Sequence, residues 1–295
     1  MSESSMADLS GEKNFAHTLR ELELTVTRRL DGLLRGNFLS NAVGVGSEFG
    51  TAREYEIGDD VRRMDWSVTA RTNTPHVRDT VAERELEVQI IVDTGARFGT
   101  GQAAVTKADL ATAACAAVAY LSDVPGTGNR VGLITGSTVV PLGSGRNHIR
   151  RLIAAQAATS GESDLSVPIT RLARTAHRTG MTVVISDFLG DITWVDALNT
   201  LHQRCDVLAI ELIDPADEQL PGDGPVRLQD PATGEVVDII VTDEARANYA
   251  QTAARHRADV HSALRAAGAR VVTLRTDRDW VVDFAHQIAR NSIRQ

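Results

Sequence analysis

Along most of the chain, short apolar runs alternate with longer segments in which apolar residues recur every three or four positions. The first pattern predicts strands and the second predicts helices. Short apolar runs predict strands at 86–92, 131–134, 139–142, 182–185, 206–212 and 271–274. Between them, apolar residues three and four positions apart predict helices at 104–121, 147–157, 165–176, 195–201, 244–267 and 279–290. Strands that alternate with helices favour a largely parallel α/β sheet with helices on both faces.

The N-terminal third of the chain has a different pattern. Residues 1–13 are polar and predict a disordered tail. The following apolar stripe, from Phe15 to Leu33, predicts a helix packed on the main domain, with partner binding as the alternative. We place this helix in a small N-terminal module at 14–82, whose residues 36–82 are charge-dense and predict short strands at best. The main domain is expected at 83–295, with a hairpin excursion near 214–241.

Composition narrows the classes of function. The net charge is −8, which argues against general attraction to nucleic acid or anionic lipid. No apolar run approaches the ~20 residues that span a bilayer, so we expect no membrane insertion. The two cysteines, Cys115 and Cys205, lie in apolar segments and are interpreted as reduced core residues. We therefore expect a soluble, cytoplasmic protein.

A charge-dense stretch at 53–71 contains four arginines and five acidic residues, so its charges nearly cancel. Tyr55 and Ile57 alternate with acidic residues and predict a short strand. Asp60 is then placed to cap a helical turn. An aromatic residue among arginines and carboxylates suits planar, bidentate recognition of a partner. The alternative is an internal lattice of ion pairs that holds the segment on the domain behind it.

This stretch also carries a resemblance to a known family. The residues Gly44-Val-Gly46, Glu48-Phe49, Arg53, Tyr55, Gly58-Asp59-Asp60, Arg62, Asp65-Trp66 and Ala70-Arg71 resemble the signature of the "domain of unknown function 58" family. That bacterial family has a von Willebrand factor A-like domain and is often encoded beside MoxR-type AAA+ ATPases. The resemblance implies a von Willebrand factor A-like fold and a non-enzymatic adaptor or co-chaperone for such an ATPase or its client proteins. The expected contact surface comprises Arg53, Tyr55, Asp60, Arg62, Asp65, Trp66 and Arg71.

Polar residues also follow two of the predicted strands. Asp93 ends the first strand of the main domain, and Ser186-Asp187 ends another. If these strands are neighbours, the two carboxylates meet at the carboxyl edge of the sheet, where open α/β sheets bind ligands. Oxygen ligands of this kind suit Mg²⁺.

The resemblance implies a metal-ion-dependent adhesion site at this edge, of the form Asp-x-Ser-x-Ser with a distant Thr and a distant Asp. Asp93 matches the first aspartate, Asp187 the last, and Ser163 stands where the threonine belongs. Gly95 and Arg97 replace the two serines. Glycine offers no hydroxyl and a guanidinium does not ligate metal.

We hypothesise that Arg97 takes the place of the metal ion and pairs with one or both carboxylates, so that no cofactor is required. Two alternatives stay open. Arg97 points to solvent, or the protein is a Mg²⁺-dependent binding module that uses Asp93, Ser163 and Asp187. A hydrolase at this edge is the weakest hypothesis, since the sequence supplies no nucleophile with a positioned base.

Overall fold

The computed structural model describes residues 52–56, 61, 64–78, 86–123, 127–161, 164–175, 180–230 and 233–292. The predicted tail at 1–13 and the predicted helix between Phe15 and Leu33 lie outside these residues. Strands and helices are numbered below in chain order among the described residues.

A six-stranded sheet forms the centre of the protein. Its strands are β3 (Glu87–Val92), β4 (Arg130–Thr135), β5 (Thr138–Gly143), β6 (Met181–Ser186), β7 (Asp206–Ile213) and β10 (Arg270–Arg275). They lie in the order β10-β7-β6-β3-β4-β5. Neighbouring strands are parallel except β5, which runs antiparallel to β4, and this confirms the predicted largely parallel α/β sheet.

Helices cover both faces of this sheet, as predicted, because its central strands are apolar on both sides. One face packs against α2 (Lys107–Ser122), α3 (Arg146–Ala158) and α7 (Trp280–Ser292). The other packs against α4 (Ser166–Thr175), α5 (Val195–His202) and α6 (Asp243–Ala266). None of the helices within the described residues is long and apolar enough to cross a membrane.

Helix α2 is the most deeply buried helix and lies over the middle of the sheet. Its alanines allow a close approach to β3, β6 and β7. Thr106 caps it, since its hydroxyl accepts from the Asp109 backbone N–H at 3.1 Å and the Asp109 carboxylate accepts from the Thr106 N–H at 3.1 Å. This reciprocal cap fixes the first turn of α2 at the carboxyl edge of the sheet.

A smaller unit precedes the sheet, with β1 (Ala52–Glu54) antiparallel to β2 (His76–Arg78) and α1 (Trp66–Thr72) between them. The prediction of short strands at best for this region was wrong, because it missed α1. The helix buries none of its residues, so it shows no apolar stripe in the sequence. The short strand predicted around Tyr55 lies earlier, since β1 ends at Glu54.

A two-stranded hairpin lies within the predicted excursion. It pairs β8 (Gly224–Gln229) with β9 (Val236–Val241) in antiparallel register. Both cysteines are buried free thiols, as their apolar surroundings predicted. Burial raises the pKa of Cys115 to about 12, so this thiol is unreactive at neutral pH.

Candidate functional site

The carboxyl edge of the sheet gathers charged residues from three neighbouring strands. β3 and β6 are adjacent and in register, with Val92 opposite Ile185. The Asp93 backbone N–H donates to the Ile185 carbonyl at 2.9 Å, which aligns the loops that follow the two strands. The predicted convergence of Asp93 and Asp187 is therefore confirmed. The loop after β7 adds Asp217 to the same edge.

Asp93 is buried and receives its hydrogen bonds from neutral groups. One carboxylate oxygen accepts from the Ser186 hydroxyl at 2.7 Å, and the other accepts from the Gly95 backbone N–H at 3.0 Å. Burial, with a smaller contribution from the nearby Asp187 carboxylate, raises the pKa of Asp93 to about 6. The hydrogen bond from Ser186 opposes this shift without cancelling it.

Asp187 has the opposite environment, because two cations contact its buried carboxylate. The Lys107 ammonium donates to Oδ2 at 2.8 Å. Arg97 contacts the same carboxylate through Nε at 3.4 Å and Nη2 at 3.3 Å. Burial acts to raise the pKa of Asp187, but Lys107 and Arg97 outweigh it and hold that pKa below its ordinary value.

Lys107 connects the edge of β6 to the loop after β7. Its ammonium also donates to Asp217 at 3.0 and 3.2 Å, and the residue is only 2% exposed. Burial acts to lower the pKa of Lys107, but Asp187 and then Asp217 raise it above its ordinary value. A fixed positive charge therefore lies between two carboxylates at the carboxyl edge.

Lys107 was not among the residues predicted from the sequence, although three signals could have identified it. It lies four residues before Ala111, on the same stripe as the buried face of α2. A lysine in the first turn is also unfavourable to the helix dipole unless acidic groups compensate it. The chain contains only two lysines, Lys13 and Lys107, so the residue type itself is informative.

The structure places Arg97 in a short 3-10 helix, Ala96–Gly99. Its guanidinium contacts Asp187, which agrees with the hypothesis that Arg97 pairs with a carboxylate and argues against the solvent-facing alternative. The nearer cation at Asp187 is nevertheless the Lys107 ammonium. Gly95 uses its backbone N–H on Asp93, while Ser163 lies outside the described residues.

The donor set of this edge does not suit Mg²⁺. Both oxygens of Asp187 contact cations, and both oxygens of Asp93 accept hydrogen bonds from neutral donors. A divalent ion between the two carboxylates would lie beside the Lys107 ammonium in a buried setting, where like charges repel strongly. Binding Mg²⁺ here would therefore require the ammonium and the guanidinium to move away.

Ser186 is not placed as a nucleophile. Its hydroxyl is fully buried, donates to Asp93 and accepts from the Phe188 backbone N–H at 3.0 Å. Phe188 has a left-handed backbone with φ of 50°, which is strained for a residue with a side chain. His256 donates to the Phe188 carbonyl at 3.0 Å, and the Trp194 ring packs edge-on against the Phe188 ring. These contacts hold the loop after β6 in one conformation.

Helix α6 also faces this loop. His261 contacts the buried carboxylate of Glu211 at 2.9 Å, and Arg257 contacts Glu211 at 3.5 Å and also Glu218. The polar residues on this face of α6 therefore bind the end of β7 and the loop after it.

The described residues of the charged stretch at 53–71 lie at different places in the small N-terminal unit. Asp65 caps α1, since its carboxylate accepts from the Ser67 and Val68 backbone N–H groups at 3.0 and 3.2 Å. Trp66 follows with 70% of its surface exposed, Arg71 is exposed in the last turn, and Tyr55 is half-buried. Arg53 lies in β1, but its side chain is not described. Asp60 and Arg62 lie outside the described residues.

The fold and this edge define a class of protein: a mostly parallel α/β domain with buried, paired charges at the carboxyl ends of its central strands. The chain belongs to the family described as "Protein of unknown function DUF58", whose model matches residues 51–259. The family resemblance seen in the charged stretch is thereby confirmed.

Similar proteins come from mycobacteria and Bacteroides. An uncharacterized protein of Mycobacterium tuberculosis is 46% identical over 287 residues, which cover 94% of this chain and 90% of the relative. An uncharacterized protein of Mycobacterium avium is 44% identical over 152 residues, which cover 50% of this chain and 90% of the relative. The crystal structure of the conserved hypothetical protein BatB from Bacteroides thetaiotaomicron matches with a TM-score of 0.43 and 12% identity, over 70% of this chain and 99% of that one.

Proposed function

We propose that this protein is a non-enzymatic scaffold for protein interaction, which acts in the cytoplasm as an adaptor or co-chaperone of a MoxR-type AAA+ ATPase. Membership of the family supports this proposal through the resemblance described above. The von Willebrand factor A-like character of the main domain is part of the proposal. It agrees with the mostly parallel sheet and with paired aspartates after β3 and β6.

The charged edge supports a scaffold whose adhesion site has lost its metal. In the proposal, the Lys107 ammonium supplies the positive charge that a divalent ion would bring to Asp187. The Arg97 guanidinium adds a second cation on the same carboxylate. The edge then stabilises the domain, and partner binding does not depend on a divalent ion.

The observation that carries the interaction role is the exposure of Trp66. A tryptophan that is 70% exposed leaves a large apolar surface in water, and tryptophan is among the residue types that dominate binding energy at interfaces. Asp65 holds the first turn of α1 in place, so the indole is presented on an ordered element. We assign the ATPase contact to α1, whose exposed residues also include Arg71.

We expect Trp66→Ala to weaken binding to the purified MoxR-type ATPase of the same organism at least tenfold, with the melting temperature nearly unchanged. The physical reason is that the exposed indole contributes to an interface and not to the core. Binding is measured by biolayer interferometry with and without ATP, and with and without EDTA. The proposal predicts that EDTA has no effect on the contact when nucleotide is absent.

Val167→Ala is the matched control, because Val167 is an exposed apolar residue on α4, in a different part of the protein. This variant should bind the ATPase as the wild type does. The interaction role of α1 is contradicted if Trp66→Ala binds normally. It is also contradicted if Trp66→Ala unfolds the protein, because the signature would then serve as an internal clamp.

A further inference from the structure

The β8–β9 hairpin has one face that is exposed along its whole length. We call this the outer ribbon face, and its residues are Pro225, Arg227, Gln229, Val236, Asp238 and Ile240. Ile240 is 69% exposed and Val236 is 49% exposed. The opposite face is half-buried at Val226, Leu228 and Ile239, although Val237 on that face is 49% exposed. The hairpin therefore presents apolar side chains to solvent on the face that its own domain does not cover.

The centre of the outer ribbon face carries one ion pair. Arg227 lies directly opposite Asp238 in the register of the two strands. Its Nε and Nη2 donate to the two carboxylate oxygens at 2.8 and 3.2 Å. Pro225 and Ile240 form the pair on one side of it, and Gln229 and Val236 the pair on the other. The outer ribbon face therefore has a positive charge at the centre of β8, a negative charge at the centre of β9 and apolar side chains at both ends.

This pattern is complementary to itself under one symmetry operation. A twofold axis close to the strand direction stacks two copies so that β8 of each lies over β9 of the other. Arg227 then faces Asp238 of the second copy, and Ile240 faces Pro225. A twofold axis across the strands would instead place Arg227 over Arg227 and Asp238 over Asp238, which repel. The charges therefore select a single arrangement for self-association.

We propose that the outer ribbon face is a homodimer interface, in which two hairpins stack face to face about this twofold axis. An isolated two-stranded ribbon is only marginally stable, and stacking on a second ribbon gives its apolar groups a partner. This inference is independent of the proposed function. Six residues from each copy make a small interface, and interfaces under about 1,200 Å² belong to weak complexes. We expect dissociation constants of roughly 10 to 100 µM.

The test is sedimentation velocity on the full chain across this concentration range, with two single charge variants. Arg227→Asp places two acidic residues on each outer ribbon face, and Asp238→Arg places two arginines there. Each variant alone should be monomeric, with self-association weakened at least tenfold. An equimolar mixture of the two should dimerise again, because each acidic face then meets a basic one.

Two further variants keep the test independent of damage to the hairpin. The double exchange of Arg227→Asp with Asp238→Arg preserves both the pair within the ribbon and the pairs across the axis, so it should dimerise like the wild type. Val167→Asp adds a charge at an exposed valine of α4 and should also leave dimerisation unchanged. The proposal is overturned if the wild type stays monomeric, if the single variants still associate, or if their mixture does not.

Discussion

Replacing Lys107 by methionine is expected to lower the free energy of unfolding by about 3 kcal/mol, with the same fold retained at low temperature. The substitution keeps most of the buried aliphatic volume and removes the ammonium. Asp187 then keeps the longer contacts from Arg97 and a hydrogen bond from the Leu189 backbone N–H, and Asp217 loses its ion pair with Lys107. Breaking a buried ion pair by removing one partner costs about 3 to 5 kcal/mol. Because the Arg97 guanidinium still contacts Asp187, we expect a loss at the lower end of this range.

Urea denaturation at pH 7 measures this loss, with Arg130→Met as the matched control. Arg130 forms an ion pair with Glu87 at 2.6 Å, but its side chain is 45% exposed. Surface pairs contribute about 0 to 1 kcal/mol, so the control should change little. A double-mutant cycle with Asp187→Asn then isolates the coupling of Lys107 to Asp187. A loss below about 1 kcal/mol for Lys107→Met would mean that the ammonium is not a structural cation.

The second large effect concerns pH. Stability should decrease between pH 4 and pH 7 through Asp93, by about 3 kcal/mol for a pKa raised from 3.8 to about 6. In this range the folded state holds a proton on Asp93 that the unfolded state has already released. The contribution of this proton is complete below the unfolded pKa and is lost as the pH rises through the folded pKa. Asp187 acts in the opposite direction, because its pKa is lowered, and its contribution is lost only in acid.

The Asp93→Asn variant separates the effect of Asp93 titration on stability from the effects of all other titrating groups. The asparagine side chain is nearly isosteric with aspartate and has no charge to bury. The free energy of unfolding of the variant, relative to that of the wild type, should therefore rise by about 2 to 3 kcal/mol between pH 4 and pH 7.5. Asp196→Asn, at an exposed position on α5, controls for the loss of one negative charge. The account of Asp93 fails if the difference between Asp93→Asn and the wild type does not depend on pH.

Much of the sheet was predictable because its strands are buried on both faces and are therefore nearly continuous apolar runs. The runs at 182–185 and 206–212 became β6 and β7 within a residue or two of their predicted ends. The polar residues after two such strands, Asp93 and Asp187, could be placed at one edge by the rule for parallel sheets. That they meet depended on β3 and β6 being neighbours, which only the strand order shows.

The cation at this edge was harder to predict, because Lys107 and Asp187 are 80 residues apart. In sequence Lys107 belongs to an alanine-rich helix, and only the crossing of α2 over β6 brings its ammonium to the carboxylate. Helix α1 was missed for a different reason. It is held by the Asp65 cap and buries none of its residues, so apolar spacing gives no signal there. Cap chemistry was the local indication, with Asp65 before the helix and Asn73 after it.

We propose above that the Lys107 ammonium takes the place of a divalent ion at the carboxyl edge of the sheet. The most direct measurement is a crystal structure of the full chain grown with millimolar Mn²⁺, read from its anomalous difference map. We expect no anomalous peak between Asp93 and Asp187, with the Lys107 ammonium within hydrogen-bond distance of Asp187. An octahedral manganese ion bound by both aspartates, with Lys107 and Arg97 turned away, would contradict it.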